Sequence, residues 1–349
     1  MPKRNYKRTL DHFAGCLVGG AIGDALGAPL EFMSLHEIRQ RYGGRGITGY
    51  EHAYGRKGAI TDDTQMTLFT AEGLLDAERE ADIIPFVHDA YLRWLHTQGY
   101  SGKASLNGTN RKGRLIEVGA LHARRAPGNS CLSALLSGKA GTVNRKINDS
   151  KGCGGVMRVA PVGLFYKDFE KAFEKGCEAA AITHGHPTGF LAAGCLACMI
   201  SLIISGDTLQ TSIHVTMQVL RTKPRHEECL QAIENTLKVL NHGEPSGEIV
   251  ERIGAGWVAE EALAIAIYAA WVANGDFEKG VLLAVNHSGD SDSTGSITGN
   301  ILGALSGKDA IPANWLEKLE LREVIEEISS DLLARSSGDQ LWKTKYPVS

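Results

Sequence analysis

The sequence lacks any strong excess of charge: 37 Lys and Arg stand against 40 Asp and Glu, for a net charge of −3. That balance offers no basic field to a nucleic-acid backbone. No run of eighteen uninterrupted apolar residues occurs, so no segment is predicted to span a membrane as a helix. Stretches that alternate like strands are scarce, which argues against a sheet-based fold. No Gly-Lys-Ser/Thr ending closes a glycine-rich loop, which excludes a Walker nucleotide site. The seven cysteines are odd in number and scattered. Cys195 and Cys198 have a redox or zinc spacing but no second pair, and they lie in an apolar helical run, 190–204. They read as packed core in a reducing, cytoplasmic compartment. Lys3, Arg4, Lys7 and Arg8 precede an apolar run and imitate a secretory leader, but Asp11, His12 and the glycines weigh against one. Residues 1–12 therefore read as a flexible basic tail, with one large domain over 13–349.

What the sequence does hold is paired carboxylates. Asp290 and Asp292 sit two residues apart in a loop of small residues, Ser288-Gly289-Asp290-Ser291-Asp292-Ser293-Thr294-Gly295. Thr61-Asp62-Asp63-Thr64 is the natural partner. Together they offer four carboxylates and several hydroxyls, those of Ser293 and Thr294 included, enough hard oxygen ligands for two adjacent cations. Either stretch has a plainer reading alone. Asp62 could cap the helix that follows, with Gln65 completing a capping box.

Gly15, Gly19, Gly23 and Gly27 recur every fourth residue, and Gly295, Gly299 and Gly303 repeat the spacing. On helices these make bare stripes. Each glycine costs a helix about 1 kcal/mol against alanine, so the stripes need a reason. Close approach of the two helices in the core is the reason inferred. Pro29 ends the first helix and puts Glu31 just beyond it. Residues 33–60 read as a long loop. Helices are predicted over 63–79, 86–96, 172–183, 190–204, 212–220, 227–240, 260–272, from the Asp290 loop to about 306, and over 315–335. The whole reads as one all-α domain of a dozen or more helices. Residues 150–158, with Gly152, Gly154 and Gly155, read either as an anion cradle or as a plain turn. His184 and His186 beside Pro187 suit substrate contact or helix termination better than zinc.

With these motifs in order, the chain resembles the ADP-ribosylglycohydrolase family from Gly15 to about Leu333. The resemblance rests on residues 19–32, 61–64, 152–161, 183–187 and 288–303. It implies an all-α fold with a dinuclear cleft holding two Mg2+ or Mn2+ ions. Thr61, Asp62 and Asp63 match the family's first metal group; Asp290, Asp292 and Ser293 match the second. Glu31 matches an acidic residue beside the metals. Gly152, Cys153 and Gly154 match a turn that touches ADP-ribose, His184 a residue lining the cleft, and Ser101 or Gly102 a phosphate contact. The implied reaction frees ADP-ribose from a modified protein. Glu31 or Asp292 is the expected base, with Asp62 and Asp63 as equals in principle. Ser293 after Asp292, and the 150–158 stretch, resemble the ADP-ribosylarginine hydrolase branch. A serine linkage, a non-catalytic protein binding ADP-ribose or an ADP-ribosylating toxin, and a Mg2+ phosphohydrolase are the alternatives.

Overall fold

The computed structural model describes residues 7–77, 82–100, 113–240, 243–339 and 345–346. Sixteen α-helices run through them. The first half holds α1 (Leu10–Gly27), α2 (Leu35–Tyr42), α3 (Asp62–Asp76), α4 (Ile84–Thr97), α5 (Asn129–Leu136), α6 (Ala160–Phe165) and α7 (Phe169–Ala181). The second holds α8 (Pro187–Ile204), α9 (Leu209–Arg221), α10 (Glu227–Val239), α11 (Gly247–Ile253), α12 (Ala259–Ala273), α13 (Phe277–Val285), α14 (Ser291–Ser306), α15 (Ala313–Lys318) and α16 (Arg322–Ser337). Among the described residues the only sheet is a two-residue hairpin, β1 (His52–Ala53) against β2 (Arg56–Lys57). The expected all-α class is what forms.

The two glycine stripes meet. A Cβ built on Gly15 would stand 2.5 Å from the carbonyl oxygen of Gly303, and one on Gly19 would stand 2.5 Å from that of Gly299. Gly23 meets Gly295, and Gly27 meets Ser291, in the same antiparallel register. The four-residue spacing keeps every contact on one face of each helix. The Asn300 amide crosses this seam and donates to Cys16 O at 2.8 Å. Dispersion between touching backbones, and burial of nearly every side chain on α1, offset the propensity cost of the glycines. The register also carries the C-terminal end of α1 to the N-terminal end of α14. Asp24 and Glu31 are thereby set beside Asp290 and Asp292.

Several expectations need correction. α1 opens at Leu10, inside the stretch read as a flexible tail through residue 12. Lys7 Nζ donates to Leu305 O at 2.6 Å and Arg8 to Leu164 O at 2.7 Å, so residues 7–12 are tied down. α8 is long and apolar enough to cross a membrane, although Thr188, Gly189 and Ser201 interrupt its apolar run; all of it is buried among other helices. The loop at 33–60 contains α2 and the hairpin. The predicted helix 315–335 is two helices, α15 and α16, parted where Leu321 adopts a left-handed φ of 57°. There Glu320 N–H donates to Gly58 O at 3.0 Å, and its carboxylate accepts from Ile60 N–H at 3.1 Å. Those long-range bonds outweigh helix continuation. All seven cysteines are free; Cys195 and Cys198 are core residues of α8.

Candidate active site

Thr61 is the N-cap of α3, not Asp62: its hydroxyl accepts from Asp63 N–H at 3.3 Å. The cap therefore leaves both following carboxylates available. Asp62 accepts from Gly128 N–H at 3.2 Å. Asp63 Oδ1 is buried without a hydrogen-bond partner. On the facing helix Asp290 is itself the cap, accepting from Ser293 N–H at 3.4 Å through Oδ1. Its Oδ2 accepts from Cys153 Sγ at 2.7 Å. Asp292 accepts from Ser293 N–H at 3.0 Å. Two helix N-termini thus aim four carboxylates at one cleft, and their positive dipole ends partly offset the repulsion.

That cleft has a volume of about 200 Å3. Glu31, Asp62, Asp63, Gly152, Cys153, Gly154, His184, Asp290, Asp292 and Ser293 line it, together with Gly128, Met157 and Trp257. Thr61 lies buried just beneath. Ser101 and Gly102 lie outside the described residues. The Thr294 hydroxyl, expected among the oxygens of its loop, turns away to Ala284 O at 2.8 Å and to His287.

Among the described residues the lining contains no Lys or Arg. Burial, and the repulsion of neighbouring carboxylates, push Asp62, Asp63 and Asp290 well above the ordinary range. Glu31 is raised to about 9 by burial first and then by Asp292, Asp62 and Asp24. His184 is driven the other way, to about 3, by burial and by Arg158, so its ring is neutral. Arg158 donates to the Thr183 hydroxyl at 2.6 Å, and that hydroxyl is 2.8 Å from His184 Nδ1. The hydroxyl proton is then free for Nδ1, which leaves the ring proton on Nε2, the edge beside Gly152 and Gly154.

One buried carboxylate escapes the sequence reading. Asp24 accepts from Thr61 N–H with both oxygens at 3.0 Å, and from the Thr64 amide at 3.1 Å and hydroxyl at 2.5 Å. It fixes the turn that aims Asp62 and Asp63, and burial with the nearby Asp292 raises it to about 7. The sequence does carry a signal for it: Asp24 is the lone charged residue in the small and apolar run 13–30. Gly128 and Trp257 carry no comparable signal.

The donor set fits hard cations: oxygen-rich, acidic, with a buried unpartnered oxygen. Among the described residues no three His, Cys, Asp or Glu side chains close around one point as a finished cage.

An all-α fold that collects acidic oxygens at the floor of a cleft, beside a glycine-rich turn, has the layout of a hydrolase site. The chain belongs to the ADP-ribosylglycohydrolase family, whose profile matches residues 5–341. It is 28% identical to the ADP-ribosyl-[dinitrogen reductase] glycohydrolase of Rhodospirillum rubrum, over 94% of this chain and 98% of that protein. It is 27% identical to the ADP-ribosylarginine hydrolase Tri1 of Serratia proteamaculans, over 93% of this chain and 79% of that one. A solved ADP-ribosylglycohydrolase-related protein complex superposes with a TM-score of 0.67 at 29% identity, covering 95% of this chain and 99% of that one. As a member of this family the protein is a hydrolase that removes ADP-ribose.

Proposed function

We propose that the protein releases ADP-ribose from arginine side chains of modified proteins, with two divalent cations, Mg2+ or Mn2+, in its cleft. The observation that most supports this is the convergence of Glu31, Asp62, Asp63, Asp290 and Asp292 on a cleft that no Lys or Arg lines among the described residues. Thr61, Asp62, Asp63, Asp290, Asp292 and Ser293 would hold the ions, drawing inward to do so. When bound, such ions supply positive charge and Lewis acidity at the cleft floor. Asp63 Oδ1 is the clearest open ligand atom.

The chain's own groups do the rest. As the bond from C1″ of the ribose to the acceptor nitrogen breaks, positive charge builds on the sugar ring. A water adds its oxygen to C1″, and the proton it gives up passes to the departing guanidine nitrogen, leaving free ADP-ribose and unmodified arginine. Glu31 serves as the proton carrier: it is partly exposed at the cleft edge, whereas Asp62, Asp63 and Asp292 are buried and committed to the floor. His184 presents Nε2–H to the cleft as a neutral donor, and the 152–155 turn supplies a close backbone approach for the diphosphate. The relatives named ADP-ribosylarginine hydrolase, at 25 and 27% identity, support the arginine linkage. The test presents arginine-linked and serine-linked ADP-ribosyl proteins side by side with Mg2+. Fast release from arginine and slow release from serine is expected. Efficient cleavage of serine with arginine untouched would overturn the linkage while leaving the family intact.

A further inference from the structure

We propose that the ring pair Phe32–Trp257 at the cleft mouth binds the guanidinium of the acceptor arginine and thereby selects the linkage that is cut. This rests on the arginine reading above and assigns residues to it. Five large apolar side chains stand exposed among the described residues, and three of them are aromatic: Phe32, Tyr54 and Trp257. All three surround this cleft. Phe32 follows Glu31 directly. Trp257 lines the cleft. Tyr54 is near enough for Glu31 and Asp292 to act on its phenol.

The Phe32 and Trp257 rings stack, with centroids 5.2 Å apart and planes 21° from parallel. Phe32 nonetheless remains 74% exposed, so its outer face is open. Its backbone φ is 70°, a left-handed conformation that costs a bulky residue energy and that exposed packing does not repay. Trp257 is held firmly: Cys153 N–H donates to its carbonyl at 3.1 Å, and Gly152 pairs with Val258. The rim already shows how it takes a guanidinium, because Arg125 lies 4.9 Å over the Tyr54 ring. Among the described residues no cation lies over Phe32 or Trp257. A planar cation arriving there meets a free aromatic face beside Glu31. A serine side chain has neither plane nor charge and gains nothing from the pair.

The experiment compares wild type with Phe32→Leu, Trp257→Leu and Phe32→Tyr. Turnover of arginine-linked ADP-ribosyl protein is measured alongside the affinity for free ADP-ribose, with arginine methyl ester as a probe of tryptophan fluorescence. Both leucine variants should raise KM for the arginine-linked substrate about tenfold with kcat little changed. Phe32→Tyr should match wild type. Affinity for ADP-ribose should be unaltered, and arginine methyl ester should quench wild type but not Trp257→Leu. An unchanged KM in both leucine variants, or an equal loss of ADP-ribose affinity, would overturn the proposal. If wild type cuts no arginine linkage, the arginine reading falls by itself, and the quenching result still decides the ring pair.

Discussion

The two ends of the α1–α14 pair obey opposite rules. Along the glycine seam, from Gly15 to Gly23 against Gly295 to Gly303, the backbones touch, no charged residue stands on either stretch, and the contact stabilises the fold. Where the same helices end, Glu31, Asp290 and Asp292 face Asp62 and Asp63 across a cleft with no Lys or Arg in its lining among the described residues. That end stores repulsion. The seam is the rigid frame against which the cleft is held open. Without so close a packing, mutually repelling carboxylates would move apart.

The seam should be the more fragile half to mutation. Gly19→Leu or Gly299→Leu forces a side chain into a backbone carbonyl and should cost about 3 kcal/mol or more, read from denaturant midpoints. The cleft should behave in the reverse sense. Asp63→Ala or Asp290→Ala should weaken Mg2+ binding about tenfold to a hundredfold by calorimetry. Cation-free Asp63→Ala should melt no lower than wild type, whereas Asp290→Ala also loses the cap of α14. Wild-type Mg2+ affinity in both variants would remove these residues from the ligand set.

Acidity sharpens the contrast further. Glu31 is raised to about 9 and Asp24 to about 7, against ordinary carboxyl values near about 4. The folded state therefore holds more protons than the unfolded one between those limits. The stabilisation is present at low pH and is lost as pH rises through the folded values. The cation-free protein should melt progressively lower from about pH 5 to pH 9, and saturating Mg2+ should flatten that slope. A flat profile without cations would contradict the stored repulsion. The smallest effect belongs to a glycine outside both regions. A Cβ added at Gly44 would meet nothing within 4 Å, so Gly44→Ala should change stability by less than about 0.5 kcal/mol in the same denaturant titration.

The seam was legible because a four-residue glycine period is a local pattern, and both helices carry it. The floor was legible because Asp62-Asp63 and Asp290-x-Asp292 are short, paired and next to helix starts. Asp24 was missed because its task is set by Thr61 and Thr64, far along the chain, and no local spacing reports that. α2 was missed although Ser34 and Glu37 form a capping box, a signal open to the eye but buried in a glycine- and charge-rich stretch. The break before α16 left no mark, because neither Gly nor Pro sits there and the cause is the long-range grip on Glu320. The plainer alternative for Asp62, a helix cap, is one residue off: Thr61 takes that role, and this is what leaves two carboxylates for the cleft rather than one.

The most direct measurement follows free ADP-ribose released from an arginine-linked ADP-ribosyl protein, with Mg2+ and after its removal by a chelator, in wild type and in Asp63→Ala. Rapid release by wild type with Mg2+, its loss on chelation and its return on adding Mg2+ back, with none from the variant, is the predicted result. Release that persists undiminished in the chelator, or in Asp63→Ala, would contradict the account.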